Sequence, residues 1–596
     1  MVASTRLVAA ALLVGASVAL VAGQGQSRDT TSTPAAPGSA LLSGRVVNDV
    51  TNRPVRRAVV SITGADTRLR LTSITDDNGA FAFLGLQPDR YTLGATRPGY
   101  VTTGYGARKL GRPGTPISIA AGEQRTDLAL RMPPGAVVTG VVRNGSGEPL
   151  PGVRVMLLRQ SFGYDTGERT LASAGPGIGL PTDDRGEYRI FGLAADEYYV
   201  VATMGLGIRS TNELRETSRA EIDWATRLLQ LLGPASPGAT AQAPAAGRTV
   251  DYAPVFFPNV YSQSGASIVA VKEGEERRGV DITIDPIPTA KVFGTVIAPD
   301  GVLPPNLLVS VIAHDTVPGV PFSGFGNARV DANGKFVSPG LSPGDYTITV
   351  RVGGGRGGGP ATPATQTLFG LTTVSVSGSD LETTVTLRPG VTVSGRVVFE
   401  ATTLKAPTDL STVGVSLTPV RGRTPTLGVG AATVDASGAF TFTGVTPGRY
   451  RLSSSLTGWQ LKSGTIQGVE TLDTPIELGS TDVSGAEVTL TDRTTEVSGR
   501  LLDAAGKPAP EYFIIVFSAD RKSWIPQSRR IQSVRPGSDG RFTAKNLPPG
   551  DYLIAAVTDV EQGEWYDPQF LTQLLPGSTK VTLGEGGKVT QDLQIR

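Results

Sequence analysis

The residue types that most often perform chemistry in proteins are scarce in this chain. Its 596 residues include no cysteine and a single histidine, His314. A catalytic zinc ion needs two or three imidazole or thiolate ligands, and a Ser–His–Asp triad needs a correctly oriented imidazole. The composition therefore excludes disulfides, thiolate metal sites and cysteine nucleophiles. His314, in the segment SVIAHDTVPG, is predicted to be a solvated or hydrogen-bonded side chain at a strand end.

Carboxylates are the next candidates for chemistry. Asp77 and Asp184 lie in turns of the type Asp-x-x-Gly, which recur along the chain, and Ca²⁺ prefers carboxylate and carbonyl oxygens. These turns lack the alternating Asp or Asn ligands and the distal Glu of a dedicated calcium loop. We therefore interpret both aspartates as turn caps and expect no metal and no cofactor. Because two carboxylates suffice for a glycosidase, a carboxylate-based hydrolase stays open as a third alternative for the function.

Aromatic side chains can bind ligands by stacking. The four tryptophans of the chain are too few and too scattered to form an obvious platform for sugars. Trp459, in the segment LTGWQL, and Trp565, in the segment GEWYDP, are placed in predicted loops at domain ends, where an exposed ring could meet a ligand. These two are the predicted ligand-contact residues. Packing in a core or at an edge is the alternative for each of them.

The charge and the turn-forming residues indicate the class of protein. With 55 basic and 53 acidic residues, the net charge of +2 does not provide the basic surface that nucleic-acid binding requires. The 75 glycines and 43 prolines exceed the usual share and imply many turns. Hydrophobic residues make up 39% and charged residues 18% of the chain, which is typical of neither a disordered chain nor a protein with many membrane spans. The first expectation is an all-β protein.

One sequence block occurs five times and defines the elements that carry these residues. In each copy a glycine stands two residues before an aromatic residue, a leucine or valine follows five residues later, and a tyrosine follows after five more. The glycines are Gly79, Gly186, Gly334, Gly438 and Gly540, and the tyrosines are Tyr91, Tyr198, Tyr346, Tyr450 and Tyr552. Two copies depart from the pattern: Gly537 replaces the first aspartate of the fifth turn, and Ser338 replaces a core residue in the third copy.

The block has a direct structural interpretation. An Asp-x-x-Gly sequence forms a tight turn in which the glycine adopts a positive φ. The alternation of residues after the turn predicts a strand with one buried face. A tyrosine just after a corner, with its hydroxyl returning to the backbone, is the tyrosine corner of Greek-key sandwiches.

A second signature, SGRVV or a close variant, opens each copy. Its glycines are Gly44, Gly140, Gly294, Gly395 and Gly499, so the repeat is about 100 residues long, with about fifty extra residues in the second copy. Roughly seven short strands per copy fit a two-layer sandwich. We predict an all-β chain of five tandem immunoglobulin-like or transthyretin-like antiparallel β-sandwiches. The predicted boundaries are 41–134 for unit 1, 135–288 for unit 2 with an insertion at 205–262, 289–389 for unit 3, 390–491 for unit 4 and 492–596 for unit 5.

The segment GEPLPGVRVMLL, followed by TDDRGEYRIFGL and a corner tyrosine, resembles the carboxypeptidase regulatory-like domain. This family is a transthyretin-like β-sandwich that accompanies metallocarboxypeptidases and is common in bacterial envelope proteins. The resemblance covers residues 40–596 and is closest in unit 2. It does not imply peptidase activity, because the catalytic domain of such enzymes binds zinc through two His and a Glu, and this chain has only His314. The Lys–Asn crosslinks of related Cna-B-like sandwiches are not expected either, because no opening strand contains a lysine.

The insertion of unit 2 contains the strongest helix pattern of the chain, at 211–233. Thr211 or Asn212 can cap the helix, and Gly233 ends it. One face is apolar and is formed by Leu214, Ile222, Ala225, Leu228, Leu229 and Leu232. Because acidic and basic residues are balanced on the polar face, we expect the helix to lie on a sandwich edge rather than on a membrane. A flexible tether at 234–247 and a hairpin loop at 353–360 are also predicted.

The N-terminal residues have the order of a secretory signal peptide. Arg6 precedes an apolar run at 7–22, and small residues follow at Ala22 and Gly23. We predict a cleaved signal peptide at 1–23 and a disordered linker at 24–40, with a retained N-terminal anchor as the alternative. The expected location is the periplasm, the cell surface or the extracellular space, without a membrane span after cleavage.

These observations predict a non-catalytic exported protein. Because the linkers between units are very short, we expect a monomeric, semi-rigid rod that acts as a structural, adhesive or protein-interaction module of the cell envelope. The alternative is a carbohydrate-binding protein that uses the end-loop aromatic residues. The possible partners are thus an envelope protein or a carbohydrate, and nucleic acid is not among them.

Overall fold

A computed structural model describes most of the chain. The described residues are 38–163, 167–174, 180–204, 214–231, 243–245, 247–314, 320, 325–352, 368–420 and 431–595. The predicted signal peptide, the helix caps Thr211 and Asn212, Leu232 and Gly233, and the loop at 353–360 lie outside them. Within the described part, no helix combines the length and the apolar composition that a membrane crossing needs.

Unit 1 forms two sheets, and unit 2 forms two larger sheets and a third of two short strands. The strands of unit 1 are β1 (Ala40–Asn48), β2 (Val59–Gly64), β3 (Arg70–Ile74), β4 (Ala80–Leu86), β5 (Asp89–Thr96), β6 (Thr103–Gly104), β7 (Ile117–Ile119) and β8 (Gln124–Met132). Those of unit 2 are β9 (Ala136–Arg143), β10 (Val153–Phe162), β11 (Arg169–Ser173), β12 (Leu180–Pro181), β13 (Glu187–Leu193), β14 (Asp196–Met204), β15 (Val250–Asp251), β16 (Val255–Phe256), β17 (Val269–Val271), β18 (Glu276–Arg277), β19 (Ile282–Thr283) and β20 (Ile287–Pro288). Unit 2 also contains helix α1 (Arg219–Leu231) and a 3₁₀ helix (Gln263–Gly265).

Units 3 to 5 repeat this architecture. Unit 3 has β21 (Val292–Ile297), β22 (Leu307–Ala313), β23 (Phe325–Arg329), β24 (Lys335–Val337), β25 (Gly344–Val352), β26 (Leu368–Val376), β27 (Leu381–Thr386) and β28 (Arg388–Pro389). Unit 4 has β29 (Val391–Glu400), a 3₁₀ helix (Leu410–Thr412), β30 (Gly414–Pro419), β31 (Ala439–Val445), β32 (Gly448–Ser455), β33 (Gln460–Ile466), β34 (Val469–Glu470), β35 (Ile476–Leu478) and β36 (Val483–Thr491). Unit 5 has β37 (Glu496–Leu502), β38 (Phe513–Ser518), a 3₁₀ helix (Arg521–Ser523), β39 (Ile531–Val534), β40 (Arg541–Lys545), β41 (Gly550–Val557), a 3₁₀ helix (Glu564–Tyr566), α2 (Pro568–Leu574), a 3₁₀ helix (Leu575–Gly577), β42 (Thr579–Leu583), β43 (Lys588–Thr590) and β44 (Leu593–Gln594).

The opening strand lies between two other strands of its sheet in every unit. In unit 1 this sheet has the order β4-β1-β8, and the facing sheet has the order β3-β2-β5-β6, with β7 also paired to β5. The β1–β4 pair is antiparallel, as expected, but β8 runs parallel to β1. In the later units the same parallel pairing joins the first strand to a strand near the end of the unit. It is possible because a whole unit of chain separates the two strands, far more than a crossover connection needs.

Each unit encloses its own hydrophobic core. The strands alternate buried and exposed residues, so that Tyr91, Leu93 and Ala95 of β5 all face inward at 0% exposure. Five clusters of buried residues draw their members from one unit each. The all-β sandwich class predicted from the repeats is therefore confirmed, whereas the residue boundaries of the units stay a prediction.

The glycines of the two signatures have different structural roles. Gly438 of the turn has φ +83°, a left-handed conformation that side chains disfavour. Gly395 of the opening strand lies instead against the last strand of its unit. A Cβ at Gly395 would lie 2.2 Å from the carbonyl oxygen of Ala486, so only hydrogen fits there.

The expectation that the helix of the insertion lies on a sandwich edge is wrong, because its apolar face is not covered by a sandwich. The helix begins at Arg219, so Leu214, which is 54% exposed, precedes it. Within the helix, Ile222 is 54% exposed and Leu229 is 78% exposed. Glu221 connects the start of the helix to another part of the insertion, because its carboxylate accepts hydrogen bonds from the backbone N–H groups of Ser218 and Gly247. Apolar periodicity predicted the helix itself, but it could not indicate whether a surface was available to cover that face.

The units fold back on one another, so the expected rod is wrong. Arg112 of unit 1 lies 2.8 Å (Nε to Oδ1) from Asp559 of unit 5. Arg529 of unit 5 pairs with Asp473 of unit 4, and Val320 of unit 3 packs in an apolar cluster of unit 2. Short linkers limit the distance between neighbouring units, but they do not set the direction of the chain at each junction.

Candidate functional site

Trp459 is a core residue of unit 4 and not an exposed loop residue. It is 7% exposed, and its ring meets that of Phe399 edge to face at 4.8 Å between centroids. Such pairs add to the stability gained by burial. The expectation that this ring is exposed at a domain end is therefore wrong. The sequence pattern failed here because the segment after β32 turns back into the sandwich, where a tryptophan fills the end of the core.

Trp565 lies in the segment of unit 5 that covers the outer face of its second sheet. Every residue of β38 is buried, because the core lies on one side of the strand and residues 558–577 on the other. Trp565 is half-buried in this cover, beside Tyr566 with 6.0 Å between ring centroids. The residue as a whole is therefore partly exposed. The assignment of Trp565 as a ligand-contact residue stays a prediction.

His314 lies at the end of β22 and forms ordinary hydrogen bonds. Its Nε2 is 2.7 Å from the hydroxyl of Thr347, and its backbone N–H donates to the carbonyl of Asp345. The side chain itself is exposed. In the described part of the chain, no group of three or more His, Cys, Asp or Glu side chains is arranged to hold a metal ion.

The aspartates of the repeated turns cap the backbone, although not at the two positions that the sequence indicated. Asp76 and Asp183, one residue before Asp77 and Asp184, accept the hydrogen bonds from the turn N–H groups. In unit 4, hydrogen bonds from the Ser437 hydroxyl and from the backbone of Ala439 lower the pKa of Asp435. These carboxylates hold turns closed.

Asp89 is a buried carboxylate that sequence analysis missed. It is 8% exposed and accepts hydrogen bonds from the hydroxyl of Thr67 and from the N–H groups of Asp66, Thr67 and Arg90. Burial alone would raise the pKa of Asp89, but these hydrogen bonds outweigh it and hold the pKa below its ordinary value. The only signal in the sequence is its place two residues before the corner tyrosine, which Asp196 shares in unit 2.

A polar groove runs between units 4 and 5. By the predicted boundaries, its walls include Lys462 from unit 4 and Arg493, Arg529, Asn546 and Glu585 from unit 5. The cavity measures about 50 Å³, which is enough for water molecules but not for a sugar ring. The groove is therefore poorly suited to a carbohydrate.

The charges in this groove satisfy one another. The ammonium of Lys462 lies 2.5 Å from Glu400 and 2.9 Å from Glu585. Hydrogen bonds to these two carboxylates raise the pKa of Lys462, and the bond from Lys462 lowers the pKa of Glu585. Arg529 donates to Asp473 and to the carbonyl oxygens of residues 461 and 462. The network joins two units and does not present an unused acid, base or nucleophile.

Solved structures with some similarity to this chain include pilin subunits. A streptococcal ancillary pilin is 13% identical, with a TM-score of 0.18, over 52% of this chain and 99% of that chain. BcpA, the major pilin subunit of Bacillus cereus, is 12% identical, with a TM-score of 0.14, over 77% of this chain and 99% of that chain. The Bacillus anthracis TIE protein is 10% identical, with a TM-score of 0.14, over 76% of this chain and 73% of that chain. TM-scores this low do not establish a common fold.

The family relationship rests on the sequence of unit 1. No curated protein matches the chain. The opening strand, the turn and the corner tyrosine of unit 1 recur in the four later units, where the first strand again pairs with a middle strand and with a strand near the end of the unit. Residues 42–132, which form unit 1 by the predicted boundaries, match the family model of the carboxypeptidase regulatory-like domain.

Proposed function

We propose that this chain is an exported, non-catalytic protein of the cell envelope, which acts as a structural, adhesive or protein-interaction module. One observation carries the proposal: the residues repeated in all five units serve the fold. The corner tyrosines bond to the backbone, the turn glycines adopt a positive φ, and the opening glycines make room for a neighbouring strand. What every unit repeats is therefore a scaffold, and function resides in the surfaces that differ between units.

The location is part of the proposal. The basic, apolar and small-residue order of residues 1–23 supports export, and the absence of cysteine means that the exported units rely on burial rather than on disulfides. The periplasm, the cell surface and the extracellular space all fit these observations.

A binding experiment tests the proposed role. The chain without residues 1–23 is incubated with isolated cell envelopes and, as a control, with the soluble extract of the same cells. We expect saturable retention on the envelopes alone. Equal recovery in both fractions, or hydrolysis of a glycoside or peptide substrate by the purified chain, would contradict the proposal.

Carbohydrate binding is the second candidate, supported by the partial exposure of Trp565. A glycan array probed with the same chain separates it from the first candidate. If a glycan binds, Trp565→Ala should weaken the affinity by about tenfold or more. Trp524→Phe is the matched control, because Trp524 is buried in the same cluster at 5% exposure. An affinity unchanged by Trp565→Ala would exclude this ring as the contact.

A further inference from the structure

We propose that unit 5 is specialised to bind unit 1 of the same chain, and that the contact is a reversible latch that keeps the five units closed. The sequence feature behind this proposal is Gly537, which stands where the other four units have the capping aspartate of the turn. The turn of unit 5 keeps its backbone hydrogen bonds, from Gly537 N–H to Arg541 and from Gly540 N–H to Gly537. The loss of the carboxylate thus leaves the turn intact and frees its outer surface.

Unit 1 occupies the space that this substitution opens. A Cβ at position 537 would lie 2.6 Å from the hydroxyl oxygen of Ser118 and 2.9 Å from Asp539. Ser118 donates a hydrogen bond to Asp539, and Ser538 donates its N–H to the carbonyl of Pro116 over 2.8 Å. An aspartate in place of Gly537 would displace these contacts. The departure from the repeat therefore coincides with a turn against which another unit packs closely.

Arg535 extends the contact on one side of this turn. Its guanidinium donates to the carbonyl oxygens of Pro113 and Gly106 and to the hydroxyl of Thr115, all in unit 1. The same group stacks on the ring of Phe513 at 4.6 Å, which fixes its plane. Arginine is suited to this arrangement because its planar donors can bind several oxygens while one face rests on an aromatic ring.

An ionic cluster forms the other side of the contact. Lys109 and Arg112 of unit 1 face Asp559 and Glu561 of unit 5, with N–O distances of 2.7, 2.8 and 3.2 Å. The side chain of Arg112 is only 12% exposed. Two cations meet two carboxylates, so the two surfaces are complementary in charge as well as in shape.

The composition of the contact explains why it should be reversible. Among the described residues, no apolar cluster joins units 1 and 5. A polar contact between domains resembles a transient interface more than a permanent one, and salt screens its partly exposed ion pairs. The closed chain should therefore open when ionic strength rises or when a charge is reversed.

A disulfide trap tests the closed arrangement directly, because the chain has no cysteine of its own. Ser118→Cys and Asp539→Cys are introduced together in the full chain, since Oγ of Ser118 and Oδ1 of Asp539 are 3.1 Å apart. We expect a disulfide within one chain, at monomer mass and independent of protein concentration. The control pair Ser118→Cys with Ser437→Cys, in the equivalent turn of unit 4, should form the bond at least about tenfold less. A bond that forms only between two chains, or no more readily than the control, would overturn the proposal.

A second experiment tests the role of Gly537 and of the charges by small-angle scattering. Gly537→Asp and Arg112→Glu should each increase the radius of gyration of the chain, and the pair Arg112→Glu with Asp559→Arg should restore it. Arg131→Glu is the matched control, since Arg131 is 56% exposed and pairs with Asp49 within unit 1. Thermal unfolding shows whether unit 5 stays folded in the Gly537→Asp variant. If unit 5 unfolds, the radius of gyration of the Arg112→Glu variant tests the proposal instead. An unchanged radius in folded variants would refute the latch.

Discussion

The hydroxyl of Tyr450 donates a hydrogen bond to the backbone carbonyl of Thr446, four residues earlier, over 2.8 Å. The corresponding bond is present in all five units, at 2.5 to 2.9 Å. Tyr450 is fully buried, so its hydroxyl depends on these partners in the protein. This bond fixes the corner between the strand after the turn and the strand that follows it.

Removal of the Tyr450 hydroxyl should destabilise unit 4. Tyr450→Phe leaves the buried carbonyl of Thr446 short of a donor, which should cost about 1–3 kcal/mol. We expect faster hydrogen exchange in the peptides of unit 4 and unchanged exchange in units 1 and 3. Tyr261→Phe, at a tyrosine that is 56% exposed, should have no effect. Equal protection of unit 4 in the variant and the parent would contradict a structural role for the corner.

Substitution of the opening glycine should also destabilise its unit. In Gly395→Ala the new methyl group would meet the carbonyl oxygen and Cβ of Ala486, at 2.2 and 2.6 Å. The strands must separate, which should destabilise unit 4 by about 1–3 kcal/mol, as overpacking does elsewhere. Calorimetry of the full chain measures the effect. The control is Gly479→Ala in the same unit, where no atom lies within 4 Å of a new Cβ; a similar loss in both variants would show that close approach is not the cause.

The two predicted ligand-contact tryptophans should behave differently. Trp459→Ala empties a buried site against Phe399 and should destabilise unit 4 by roughly 3–5 kcal/mol. Trp565→Ala removes a half-buried side chain and should reduce the stability of unit 5 by less than Trp459→Ala reduces that of unit 4. Urea unfolding followed by unit-resolved hydrogen exchange distinguishes the two variants. If Trp459→Ala were as stable as the parent chain, our placement of this ring in the core would be incorrect.

Alkaline pH should destabilise the corners. Burial raises the pKa of Tyr552 to about 12, from an ordinary value of 10.0. Because the folded-state pKa lies above the unfolded one, the contribution to stability is fully present below pH 10 and is lost as the pH rises through 12. Unfolding of unit 5 should therefore become easier across this window. Tyr552→Phe should weaken the pH dependence and Tyr261→Phe should not; the same slope in all three chains would rule out the corner as its source.

Much of each unit could be predicted from the sequence because the signals are local. The turn, the alternation after it and the corner tyrosine at Tyr450 lie within about twenty residues, and each follows from backbone geometry or from a nearby hydrogen bond. The candidate site could not be predicted in this way. Trp459 and Trp565 occur in similar loop-like segments, yet one is buried and the other half-buried, because burial depends on chain that is distant in sequence.

The sequence by itself determined that the chain is a series of β-sandwiches, with its turns at Gly79 and its equivalents and its corners at the repeated tyrosines. Only the tertiary structure decided that the first strand of a unit runs parallel to a strand near its end, that Ile222 and Leu229 face solvent, and that Arg112 meets Asp559 across more than 400 residues of chain. Periodicity and turn chemistry specify the conformation of a segment. They do not specify which surfaces meet, because that choice depends on charges and shapes brought together only when all the units have folded.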